Sequence, residues 1–172
     1  MAKLLKYGMV GGGPDAFIGD AHRRSIAVDG KAQIVAGCFS RSVEKSMEMA
    51  EQLHIDSARC YKDCKEMAEK ESAREDGIDF VVVVTPNHSH YDICKTFLDA
   101  GIHVACDKPV TISHQHAKEL QELAAQKGLL FMVTYTYMGH VTAKYAKELI
   151  ASGAIWRGQG CDGGISAGMA GV

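Results

Sequence analysis

Four short stretches hold most of the residues suited to binding or catalysis, and each one ends an apolar run. The first is Gly11-Gly12-Gly13-Pro14-Asp15-Ala16-Phe17-Ile18-Gly19. Glycines let a backbone turn tightly and approach an anion, and the helix that follows such a turn offers free N–H groups at the positive end of its dipole. That is pyrophosphate chemistry, with Gly11, Gly13, Ile18 and Gly19 as the contact candidates. The spacing departs from Gly-x-Gly-x-x-Gly, because Ala16 takes the third place and the next glycine is Gly19. An ordinary tight turn would use the same residues.

The second stretch is Ser40-Arg41, where a dinucleotide's adenosine ribose would lie. An arginine fork pairs with phosphate and a serine can donate to it, while no carboxylate is present to accept from a ribose 2'-hydroxyl. The expected cofactor is therefore NAD(P), with NADP favoured over NAD, although Arg41 could equally be a solvated loop cation. The third, Thr85-Pro86-Asn87-His88-Ser89-His90, stops the most apolar run. Thr85, Pro86, Asn87 and His90 are candidates to meet the nicotinamide or its ribose; alternatively Asn87 or Ser89 only caps the next helix. The fourth is Asp107-Lys108-Pro109. A partly desolvated lysine beside a cationic ring should lose its proton more readily, which suits proton transfer or polarisation of a substrate oxygen. Lys108 is the catalytic candidate, against the alternative of a surface lysine in a turn.

Elements that could position these stretches are legible in the pattern. Apolar runs at 4–10, 32–39, 78–84, 102–106 and 129–134 read as strands, with a weak sixth at 57–61. From Phe80 to Val84 the run has no alternation, as a strand covered on both faces requires. Helical patterns fall at 20–28, 43–54, 63–75, 89–100, 113–127 and 141–152, with Ser42 a candidate N-cap. Strands alternating with helices predict an α/β fold, a doubly wound parallel sheet of order 3-2-1-4-5-6 over residues 1–155. Ligands in such sheets lie beyond the carboxyl ends of the strands, where all four stretches fall.

Composition narrows the alternatives. The 172 residues are 47% hydrophobic and 23% charged with a formal net charge of -2, which gives no electrostatic footprint for nucleic acid or a membrane surface. The apolar runs are too short to span a bilayer and the first residues lack a signal-peptide core, so a cytoplasmic location is expected. Six cysteines without a Cys-x-x-Cys pair suit buried thiols in a reducing compartment. His88 with His90, and His114 with His116, lack a matching carboxylate or thiolate set, so no metal site is expected.

Taken together, the glycine loop with Ile18-Gly19-x-x-His22, then Thr85-Pro86-Asn87-x-x-His90, then Ala100-Gly101-x-His103-Val104-x-Cys106-Asp107-Lys108-Pro109, resemble the glucose-fructose oxidoreductase, inositol dehydrogenase and rhizopine-catabolism (Gfo/Idh/MocA) family. The resemblance implies an NAD(P)-dependent oxidoreductase moving a hydride between a sugar or polyol carbon and C4 of the nicotinamide. It implies that Lys108 is the lysine of the family's Glu-Lys-Pro motif, with a cis peptide to Pro109, and adds Asp107 to the cofactor-side residues. Asp107 shortens the usual glutamate, the glycine loop carries an insertion around Pro14 to Phe17, and Thr136 stands where many members have asparagine.

Members of that family continue into a second α/β domain that covers the nicotinamide. Residues 156–172 show no apolar periodicity and read instead as an irregular tail, with a reading-frame shift near Trp156 or a deliberate truncation as its origin. A chain ending there should bind NAD(P) weakly, turn over little substrate, and expose apolar surface that favours self-association. A non-catalytic nucleotide-binding or sensor module is the alternative, and an S-adenosylmethionine-dependent methyltransferase a third.

Overall fold

The computed structural model describes residues 3–154. They divide into a compact unit that ends at Thr134 and a second that begins at Tyr135. In the first, strands β1 (Leu5–Gly11), β2 (Ala32–Cys38), β3 (Phe80–Val84), β4 (His103–Cys106) and β5 (Phe131–Val133) form one sheet in the order β2-β1-β3-β4-β5. Every pairing is parallel. Helices α1 (Phe17–Ala27), α2 (Val43–Gln52), α3 (Cys64–Ala73), α4 (His90–Asp99) and α5 (His114–Lys127) connect them. The second unit contributes α6 (Val141–Ala151).

One strand is corrected. Residues 57–61 do not form a ladder: Ser57–Arg59 is a 3-10 turn, and only Cys60 bridges Gly37, in parallel sense, on the outer side of β2. Asp56 caps the turn by accepting from Ala58 N–H, so local side-chain bonding wins over a segment with little β-branched content. That bridge occupies the outer position where a third strand was expected, and the predicted order survives around it. The expected tail at 156–172 lies outside the described residues.

Burial on both faces explains the uniform apolar run of β3. Val81 and Val83 join one apolar cluster with α3, α4 and α5, through Met67, Ile93, Phe97 and Leu120. Val82 and Val84 join the other, with Tyr7 and Met9 of β1 and with Met49 and Ala50 of α2. A strand with side chains alternating between two dry faces has no position where a polar residue is tolerated.

Helix starts follow their caps. Ser42 accepts from Lys45 N–H, Asp63 from Glu66 N–H and Ser113 from His116 N–H, which satisfies first-turn donors of α2, α3 and α5. Ahead of α1 stands Ala16, which has no side-chain acceptor to offer. The first turn of α1 therefore has no side-chain oxygen from its N-cap where it faces the glycine loop.

Candidate cofactor site

Register places the key loops side by side. Gly11 pairs with Val84 across β1 and β3, so the glycine loop and Thr85 leave the sheet together. β1 lies between β2 and β3, so their crossovers diverge to opposite sides and open a crevice at the carboxyl ends. A cleft of about 540 Å³ occupies that position. Gly11, Gly13, Ser40, Arg41, Thr85 and Pro86 line it, as do Lys45, Lys62 and Asp63.

The glycine loop owes its path to two close approaches. Gly11 has φ +87°, and a Cβ there would lie 2.8 Å from the Val84 carbonyl oxygen. Gly19 sits against Gly12, where a Cβ would meet the Gly12 Cα at 2.4 Å. The insertion that displaced the third glycine in sequence is thus absorbed ahead of α1, and Gly19 is where helix and loop touch. Arg23 of α1 donates to the Gly12 carbonyl at 2.9 Å and pins the loop from beneath. Nothing in the sequence singled out Arg23, since an arginine on an amphipathic helix reads as a solvated residue.

Charges around the adenosine end are unevenly paired. Lys45 bonds Asp15 at 2.6 Å, and the Asp15 carboxyl is held below its usual range by that contact. Asp63 faces the cleft but accepts from Glu66 N–H at the start of α3. Among the described residues, Arg41 and Lys62 have no carboxylate within ion-pairing distance, whereas Lys45 does. The Cys38 thiol at the end of β2 is pushed up to about 12, chiefly by burial, which keeps it protonated and unreactive.

Six of the expected contact residues, Ile18, Gly19, Asn87, His90, Asp107 and Lys108, do not line the cleft. Ile18 is half-buried and packs onto the apolar cluster of Met9 and Val82. Asn87 is exposed in a 3-10 turn, Asn87–Ser89, outside the cleft lining. Ser89 bonds the Thr85 hydroxyl at 2.8 Å and so ties this turn back to the strand end.

His90 is corrected from a ligand contact to an internal tie. Its side chain is fully buried, with Nδ1 2.8 Å from the Pro109 carbonyl oxygen and Nε2 2.8 Å from the Thr85 carbonyl oxygen. Both nitrogens are occupied, so neither is left for a cofactor. Burial pulls the His90 pKa down, but the Cys106 thiol beside the ring and the two carbonyls outweigh it and raise the pKa to about 9. A group raised in the folded state contributes stability that is complete below its unfolded value, near 6.5, and is lost as pH climbs through about 9. The neighbouring Cys106 thiol is lowered and slopes the other way over this range, so the expected result is a difference: as pH rises across it, the urea midpoint of His90→Gln should fall less, relative to its starting value, than that of wild type.

Asp107 and Lys108 follow β4. Asp107 N–H donates to the Val83 carbonyl at 2.9 Å, its carboxylate accepts from the Thr134 hydroxyl at 3.1 Å, and His22 Nε2 stands 3.8 Å away. Lys108 is exposed at the turn, and its peptide bond to Pro109 is cis, as the motif implied. Neither residue lines the cleft; they stand one strand beyond it, at the carboxyl end of β4. Among the described residues no cluster of three or more His, Cys, Asp or Glu could hold a metal ion, and no helix is long and apolar enough to cross a membrane.

Residues 5–135 match the family described as an oxidoreductase family with an NAD-binding Rossmann fold, GFO_IDH_MocA. An uncharacterized oxidoreductase of Bacillus subtilis, YfiI, is 36% identical over 156 residues, which is 90% of this chain and 40% of that protein. An inositol dehydrogenase homolog from Azotobacter vinelandii, solved with NAD+, superposes with a TM-score of 0.86 at 38% identity, covering 90% of this chain and 40% of its own. A second structure of that homolog contains NADH and myo-inositol, at the same TM-score and identity, with 90% and 41% covered. The chain thus spans about 40% of the length of the relatives it matches.

Proposed function

The chain belongs to the GFO_IDH_MocA oxidoreductase family, and on that premise we propose that its cleft holds NADP in preference to NAD and serves hydride transfer to or from a sugar or polyol carbon. The diphosphate lies along the Gly11–Gly19 loop, facing the first turn of α1. The observation that carries this reading is the cleft itself: a glycine loop closed by Gly12–Gly19 contact, a helix start without a side-chain cap, and two strand ends in register.

Preference for the 2'-phosphate is supported by Arg41 and Lys62, cations on the cleft wall that have no carboxylate partner among the described residues. A guanidinium fork binds phosphate through paired charge-assisted bonds, while the two carboxylates on the cleft wall, Asp15 and Asp63, already accept from Lys45 and from Glu66 N–H. Lys108, on the rim beyond the cleft, exchanges a proton with the substrate hydroxyl or polarises the carbonyl oxygen, and Asp107, Thr85, Pro86 and Asn87 border the nicotinamide side. Myo-inositol in the Azotobacter homolog supports the polyol class.

The unit made by this chain binds the dinucleotide but turns over little substrate alone, because hydride transfer needs a substrate held in near-attack geometry with water kept out. We propose residues 1–155 as the cofactor domain, a homo-oligomer as the assembled state, and the cytoplasm as its location. Titrating NADPH and NADH by fluorescence on wild type and Arg41→Ala tests the cofactor assignment. We expect NADPH to bind the wild type more tightly, and Arg41→Ala to weaken NADPH about tenfold, the size of one charge-assisted bond, with NADH unchanged. Equal losses for both cofactors would contradict the 2'-phosphate role of Arg41.

A further inference from the structure

The geometry assigns His90 as a positioning residue, held as an imidazolium, that locks the end of β3 to the Lys108–Pro109 turn. Both of its ring nitrogens face carbonyl oxygens at 2.8 Å, one from Thr85 on the cleft wall and one from Pro109 beside Lys108. A carbonyl only accepts, so a neutral ring, which donates from one nitrogen and accepts at the other, would leave one lone pair pointed at an oxygen. Only the doubly protonated ring satisfies both contacts. The residue is fully buried, so water cannot substitute for either carbonyl.

A buried cation needs compensation, and the surroundings supply it. Cys106 of β4 lies against the ring, its thiol donating to the Asp107 carbonyl oxygen at 3.3 Å. Behind it is Cys94, one turn along α4 from His90 and likewise fully buried. The Cys106 thiol is lowered to about 6, first by a hydrogen bond from Cys94 and then by His90, against burial. Thr85 turns its carbonyl to the ring, and Asp107, the remaining charged group near the sulfur, pushes the thiol the other way. The two carbonyl oxygens turned onto the ring are thus the partners that stabilise its charge, and the lowered thiol beside them favours the same form.

This role rests on the dinucleotide reading above. Thr85 borders the cofactor cleft and Pro109 follows the lysine assigned to the substrate, so one ring fixes the distance between the two halves of the reaction site. A His90 that merely filled space would need only its ring volume. One that positions Lys108 needs both donors.

Two measurements on the chain test it. The first is the ¹⁵N NMR spectrum of the His90 ring between about pH 6 and 8, without cofactor. Two protonated nitrogens throughout are expected; a neutral ring with one bare nitrogen at about pH 7 would overturn the assignment. The second compares wild type with His90→Gln, using ¹³C-methylated Lys108 as the reporter and NADPH as the ligand. Folded His90→Gln should bind NADPH about tenfold more weakly, the equivalent of one lost charged bond, and NADPH should no longer shift the Lys108 signal. An unchanged affinity and an unchanged Lys108 response in the folded variant would refute positioning. The ring spectrum uses the wild type and no ligand, so it decides even if the variant fails to fold. Wild type that carries an imidazolium yet ignores NADPH would count against the dinucleotide reading alone.

Discussion

Gly19→Ala should remove most dinucleotide binding. A methyl group at this position meets the Gly12 Cα at 2.4 Å, the Gly12 carbonyl oxygen at 3.1 Å and the Arg23 guanidinium at 3.0 Å. The first two are backbone atoms and cannot swing aside, so the loop or the helix must shift. Overpacking of this kind costs about 1–3 kcal/mol in stability. The larger consequence is geometric. The Arg23 bond to the Gly12 carbonyl holds the loop whose amides would grip the diphosphate, and a shift of the loop moves those donors together. We expect NADPH affinity to fall by well over about tenfold, more than 1.4 kcal/mol, measured by fluorescence titration on the folded variant. Wild-type affinity in Gly19→Ala would show that the Gly12–Gly19 contact does not set the loop.

Glu71→Ala should be the most destabilising single change in the first unit. Glu71 has almost no exposure and accepts from Arg59 Nε at 2.9 Å and from the Tyr61 hydroxyl at 2.6 Å, with a second Arg59 nitrogen on its other oxygen. Arg59 is also buried, and its other partner, Asp76 at 3.3 Å, is half-exposed. Removing the carboxylate leaves a guanidinium in the interior without its main counter-charge, which costs about 3–5 kcal/mol. Burial and the neighbouring carboxylate also raise the Tyr61 pKa, so the phenol stays a donor and cannot replace the lost charge. The urea midpoint should fall accordingly while NADPH affinity of the folded fraction stays put. A midpoint within error of wild type would mean that Arg59 reaches water once Glu71 is gone.

That network also shows what the sequence hides. Arg59, Tyr61 and Glu71 lie on a 3-10 turn, a connecting segment and α3, and no periodicity joins them. Charged residues in a polar-looking stretch read as surface, and only the fold brings a cation and a carboxylate together in the interior. The same network holds the segment that replaced the expected strand at 57–61: Tyr61 N–H donates to the Gly37 carbonyl at 2.8 Å beside the single Cys60 bridge. Side-chain bonding there supplies what a ladder would have.

Strand β3 was legible because burial on two faces forces a continuous apolar run, and the starts of α2, α3 and α5 because Ser and Asp caps are local signals. The cleft was legible for a similar reason. Ligands gather at strand ends, and Gly11, Gly13, Ser40, Arg41, Thr85 and Pro86 all sit just past one. His90 misled because a histidine three residues after an asparagine at a strand end looks like a ligand group. Its burial depends on α4 starting at that residue, which turns the ring inward toward Pro109. Lys62 and Arg23 were passed over because only the fold brings the one to the cleft wall and the other to the Gly12 carbonyl.

The central claim is that the backbone donors of the Gly11–Gly19 loop grip a dinucleotide. Crystals of the chain soaked with NADPH test it most directly. Difference density should show the diphosphate against the amides of this loop, with the 2'-phosphate at Arg41 and the nicotinamide toward Asp107 and Lys108. Density for NADPH elsewhere, or a loop left without ligand under saturating cofactor, would contradict it.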